Sequence, residues 1–211
     1  MDLLNGGQVM NLTRSAGNAG TITINAGDNI LVSGSDALHQ ERQLAYGSVQ
    51  TFTDIEYNIG SSSGIFANST ETASGNGGNL QLTGGNLKIE DGTKITVSSQ
   101  GSGSAGGFSA TLDTMSLDGQ ASLEAESAAG SNGNLSFKLD KALILRRGSK
   151  ITTNATGTAN GGNITINSPI IAGFENSDII ANAVEGMGGN INITTQGIFG
   201  LEFRDELTSE S

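Results

Sequence analysis

Glu124 and Glu126, two residues apart in "ASLEAES", are the acids in this chain best spaced to act together. On an extended segment alternate side chains share a face, so the two carboxyls would stand side by side, the minimum for acid–base cleavage of a glycosidic bond. The remaining reactive residue types are poorly placed. The only histidine, His39, has no acid and serine at a spacing that would make it a general base. Glu90 and Asp91 adjoin at a turn, where they would hold a cation only adventitiously. The calcium-binding glycine-rich nonapeptides need Asp where this chain has Asn and Ile, so no metal site is expected. Arg146 and Arg147 make too small a basic patch for nucleic acid. Asn-x-Ser/Thr matches such as Asn163-Ile164-Thr165 are by-products of repetition.

The segments that carry these residues repeat. "GNGGNLQL" at 75–82 returns as "ANGGNITI" at 159–166 and "GMGGNINI" at 186–193, with looser copies at 17–24, 103–110 and 130–137. Each unit holds three short alternating segments, clearest in "NLQLT", "NLKIED" and "KITVSS". Alternation with a period of two marks strands with one buried face. Leu87, Met115, Leu143 and Ile171 recur every 28 residues, as do Ile95, Leu123, Ile151 and Ile179. Leu80, Phe108, Leu135, Ile164 and Ile191 drift by a residue, which places the insertions in the glycine turn.

Position-by-position equivalence at a constant spacing is not required of an antiparallel sandwich but is required of coils that stack on one another. The expected fold is all-β, a right-handed parallel β-helix of about 28 residues and three strands per coil. Gly20, Gly78, Gly106, Gly133, Gly162 and Gly189 mark a corner that needs positive φ or leaves no room for a side chain. Asn79, Asn134, Asn163 and Asn190 follow it and are expected to stack as an amide ladder. In such a stack, Glu124 and Glu126 would face Thr96, Ser98, Thr152 and Asn154 one coil either way, with Lys150 and Asp178 nearby. A lone coil buries too little to offset the entropy of ordering it, so neighbours must supply the rest.

The composition agrees. With 32 glycines, one proline, no tryptophan and 4% aromatic residues, an interior built around rings is excluded and an aliphatic one remains. A net charge of −11, spread along the chain, argues against nucleic acid or an anionic membrane as partner. The absence of cysteine excludes disulfides and thiolate metal sites and is compatible with export. The start, "MDLLNGGQVM", has no basic region followed by an apolar run, hence no signal peptide within this chain.

The whole chain, 1–211, is expected to be one β-helical segment with partial coils at both ends, whose open edges would favour end-to-end self-association. The period fails once. An insertion at 35–62, within the first full coil, contains His39, Tyr46, Phe52 and Tyr57, and a loop extruded from a solenoid corner is where partner contacts are usually found. These four are the candidate binding residues. No catalytic residue and no cofactor are expected.

"SAGNAGTITINAGDNILVSGSD", "SGIFANSTETASGNGGNLQL" and above all "GGNINITTQGIFGLEFRDELTSES" are similar to the repeat region of cyanobacterial filamentous-haemagglutinin-like exoproteins. The resemblance covers nearly the whole chain. It implies a secreted or surface-displayed β-helical stalk of an adhesin, exported in full-length form through an outer-membrane transporter and attaching to a cell-surface or glycan ligand. It implies no enzyme. The family's secretion domain, with its signal peptide, is not in this sequence. The alternative is a carbohydrate-active β-helix, a polysaccharide lyase or hydrolase, because such enzymes share the fold.

Overall fold

The spacing of 28 becomes a vertical register in the computed structural model, which describes residues 1–41, 44, 60–130 and 133–202. The chain is nearly all β with almost no helix, and its strands wind into a β-solenoid of about six turns. Every pairing between the named strands is parallel, as stacked coils require. Leu80, Phe108, Leu135, Ile164 and Ile191 lie in register in one column. Leu87, Met115, Leu143, Ile171 and Ile198 form a second, and Val9, Ile65, Ile95, Leu123, Ile151 and Ile179 a third. From Leu80 to Ile171 these side chains are fully buried and make up one continuous, mainly aliphatic interior. Phe108 and Phe137 meet edge to face inside it, with centroids 5.3 Å apart.

The three expected strands are arranged as two sheets. In the middle coils the first two run on as one long strand: β6 (Leu80–Ile89), β8 (Phe108–Leu117) and β10 (Leu135–Leu145). Elsewhere they separate, as β3 (Ile22–Asn25) and β4 (Asn29–Ser33), β12 (Ile164–Asn167) and β13 (Ile170–Gly173), and β15 (Ile191–Thr194) and β16 (Gly197–Phe199). Pro169, lacking an N–H to donate, stands in the gap between β12 and β13. With β1 (Asp2–Leu4), these strands form a ten-stranded sheet. The second sheet has six: β2 (Gln8–Met10), β5 (Gly64–Phe66), β7 (Lys94–Thr96), β9 (Ser122–Glu124), β11 (Lys150–Thr152) and β14 (Asp178–Ile180).

The corners use glycine for two different reasons. At Gly78, Gly106, Gly133, Gly162 and Gly189 the backbone φ is ordinary, but an added Cβ would overlap the carbonyl oxygen of the equivalent glycine one coil below. Close approach alone therefore selects glycine there. Positive φ occurs at the turn before the third strand, in the successive pairs Asn5-Gly6, Asp91-Gly92, Gly119-Gln120, Arg147-Gly148 and Glu175-Asn176. Two consecutive left-handed residues reverse the chain tightly enough to begin the other sheet.

The expected asparagine ladder takes a different form. Asn79, Asn134 and Asn163 do not bond amide to amide along the corner; each Oδ1 accepts from the backbone N–H one coil on, at Gly107, Asn163 and Asn190, at 2.8–2.9 Å. A second set does the same at Asn18, Asn76 and Asn160. These bonds satisfy backbone donors in turns that have no strand ladder. The coil path leaves after β4 and resumes at β5, and an antiparallel bridge between Ser35 and Ser62 closes the neck between them.

Candidate functional site

The six-stranded sheet sets up the acid pair. Leu123 and Ala125 are buried in the interior, so Glu124 and Glu126 project from the opposite face, side by side. On the same face Thr96 and Thr152 lie in register with Glu124, on the strands to either side. Beyond the strand ends the stacking persists, since Ser127 N–H donates to the Asn154 carbonyl at 3.1 Å and Ser99 N–H to that of Glu126 at 2.7 Å. Glu126 is therefore flanked by Ser98 and Asn154. The stacked neighbours expected from a spacing of 28 are the ones found.

Hydrogen bonding in this strip is closed on one side of the acids and open on the other. Asn68 Oδ1 accepts from Thr96 Oγ1 at 2.8 Å and from Ser98 N–H at 2.9 Å, and Ser98 Oγ accepts from Glu126 N–H at 3.0 Å. Glu124 Oε1 accepts from Lys94 Nζ at 3.0 Å and from Ser122 Oγ at 2.8 Å. Thr152 Oγ1 and Asn154 Oδ1 one coil on, and Asp178 Oδ2 two coils on, are buried without a hydrogen-bond partner. Buried polar oxygens left unmatched are uncommon and costly.

Electrostatics distinguish the two acids. Burial, and then the neighbouring Glu124 carboxylate, push the Glu126 carboxyl above its ordinary value, against the opposing pull of Lys94 and the Asn154 amide. Glu126 thus holds its proton more readily than a free glutamate. An acid beside a carboxylate is an arrangement that can support proton transfer.

The other candidates are placed differently. His39 N–H donates to the Asp36 carbonyl at 3.2 Å, and His39 helps line a shallow, open hollow with Asp36, Ala37, Gln40 and Ser61 at the neck of the insertion. Tyr46, Phe52 and Tyr57 lie outside the described residues. Asp91 accepts from Ser33 Oγ at 2.7 Å and Glu90 pairs with Lys88 at 2.8 Å, so both acids of that turn are engaged. Arg146 and Arg147 pair with Glu175 and Asp118 at 3.0 and 2.7 Å, which neutralises the small basic patch. Among the described residues, no three histidines or acids gather at one point.

Sequence reasoning found the pair and its stacked neighbours but missed that the acids are half-buried and that the oxygens of Thr152 and Asn154 beside them are unmatched. Phe66, on the same face two coils away and itself buried, was a readable sign that this sheet's outer side is sheltered. No family model, curated protein or solved structure matches the chain.

Proposed function

We propose that this chain is a length-generating segment of a secreted or surface-displayed adhesin, a β-helical stalk that carries attachment sites away from the cell. The supporting observation is the register. Coil pairs with coil from Ile22 opposite Leu80 through to Ile164 opposite Ile191, so each further repeat adds one layer of about 4.8 Å to a rod of constant cross-section. The similarity of the repeats to cyanobacterial filamentous-haemagglutinin-like exoproteins points the same way. In this reading the full-length protein passes through an outer-membrane transporter, the neck at Ser35 and Ser62 presents the insertion toward a cell-surface or glycan ligand, and the chain is not an enzyme.

Antibodies raised against the chain test this in the source cell. The antigen should appear in the medium or on intact cells, removable by added protease; an antigen found only inside lysed cells would overturn the proposal.

A carbohydrate-active role has one observation in its favour, the raised proton affinity of Glu126 beside Glu124. Cleavage of neutral polysaccharide that disappears when both are changed to Gln would establish that alternative.

A further inference from the structure

Two side chains of the six-stranded sheet with unmatched oxygens, Thr152 and Asn154, stand beside the acid pair. Glu124 and Glu126 stand on one coil; Thr152 and Asn154 stand beside them on the next, facing the same way, because Leu123, Ala125, Ile151 and Thr153 are all buried on the other side. The four side chains mark the corners of a rectangle about 4.8 Å across the strands and roughly 6.6 Å along them. We propose that this rectangle is a low-affinity site for a hard divalent cation, calcium in preference to magnesium, held by the two carboxylates, Thr152 Oγ1 and Asn154 Oδ1.

Two independent features support the assignment. The first is charge: the carboxylates of Glu124 and Glu126 crowd one another, with the Lys94 ammonium the cation that acts on them. A bound cation removes that repulsion. The second is the pair of neutral oxygens. Thr152 is 5% exposed, and its hydroxyl, on the strand next to Glu124, has no partner; Asn154 Oδ1 is buried and unpartnered too. The Asn154 amide now donates to Glu126, and a half-turn about its last torsion would offer the oxygen in place of the nitrogen without changing its shape. All four donors are oxygen, the set that calcium and magnesium take.

Calcium is favoured by rigidity. Donors anchored on stacked strands cannot close to a tight octahedron at 2.0–2.1 Å, whereas calcium accepts six to eight oxygens at about 2.3–2.6 Å and fills the remainder with water. Lys94 opposes binding, because its ammonium already occupies one oxygen of Glu124. The donors come in pairs from coils 28 residues apart, and half of them are neutral, so a search for clustered acids along the sequence passes over them. The site is independent of the adhesin proposal, since an intracellular chain would bind the same ion.

Isothermal titration of the full chain with calcium chloride and, separately, magnesium chloride tests the assignment, alongside thermal unfolding in each salt. Calcium should bind with a dissociation constant of about 0.1–1 mM, the range of extracellular modules, and raise the unfolding temperature more than magnesium does. Glu126→Gln should weaken binding about tenfold or more and Thr152→Val several-fold, while Lys94→Gln should tighten it, each variant keeping the wild-type circular dichroism spectrum without calcium. The proposal fails if wild type shows no calcium binding up to about 10 mM, or if Glu126→Gln and Thr152→Val bind as wild type does while Asp91→Asn abolishes binding.

Discussion

The two sheets follow the same alternation, yet their outer faces differ. On the ten-stranded sheet the outward residues Gln81, Ser109, Ser136 and Thr165 are exposed, and the ion pair between Lys141 and Asp113 lies open to water. On the six-stranded sheet Lys94 and Lys150 reach water, but the short polar side chains beside them are sheltered: Thr96 is 6% exposed, Ser122 7% and Thr152 5%. A polar side chain costs nothing to place on the first face. On the second it must find a partner or go without, and there the orphan oxygens of Thr152, Asn154 and Asp178 and the raised carboxyl equilibrium of Glu126 are found. Repetition thus makes two outer surfaces of unequal chemical potential from one sequence rule, and the sheltered one is where binding or chemistry can arise.

Disrupting the stack that both faces share gives the largest effect. Gly106→Ala would drive a methyl group into the carbonyl oxygen of Gly78, and neither backbone can retreat without breaking the bonds of adjacent coils. The expected loss is about 3 kcal/mol or more, at the severe end for one substitution, and both faces should be lost together in a single denaturant transition. Gly92→Ala is a useful companion. There the added methyl meets open space and the cost is only that of holding φ at +69°, about 1–2 kcal/mol. Equal losses in the two variants would show that close approach is not what sets the first corner.

That pair of glycines also shows how far the sequence could be read. The inward columns were legible because burial acts on every second residue at a fixed interval, so Leu87, Met115 and Leu143 disclose themselves by type and number alone. The reason for glycine at each corner was not. A glycine spared for close approach and one spared for positive φ leave the same letter, and only the neighbours above and below separate Gly106 from Gly92. The "DG" and "RG" pairs before the third strand carried the missing signal. The pairing of Glu124 with Thr152 followed from the interval, but the shelter over them did not, since alternation specifies which way a side chain points and not what lies in front of it. Of the four candidate binding residues, His39 is at the neck of the insertion, while Tyr46, Phe52 and Tyr57 are outside the described residues.

A substitution of one shape on the two faces sharpens the comparison. Thr152→Val replaces a buried hydroxyl without a partner by a methyl group of nearly equal size, so measured in a chelator it should stabilise the fold by about 1 kcal/mol. Thr165→Val makes the same change on the exposed face and should stay within about 0.5 kcal/mol of wild type. Equal shifts in chemical denaturation would mean that the sheltered face is as well solvated as the open one.

The smallest effect is a matter of sign. Glu126 is raised above the ordinary 4.5 by burial and by Glu124, so the folded chain binds that proton more tightly than the unfolded chain does. Its contribution to stability is complete below pH 4.5 and declines as pH rises through the raised value. Glu175, in an exposed turn, is lowered, chiefly by its hydrogen bond from Arg146. Its contribution is complete above pH 4.5 and declines as pH falls through the lowered value. Changing each to Gln should therefore move stability in opposite directions. With calcium chelated, Glu126→Gln should gain on wild type as the medium is brought from acid to neutral. Glu175→Gln should fall behind over a more acidic interval, and by less in added salt, because its ion pair is open to solvent. Urea unfolding at a series of pH values reads both. If Glu126→Gln instead loses stability toward neutral pH, its carboxylate is better matched in the fold than burial beside Glu124 allows, and the contrast between the two faces does not hold there.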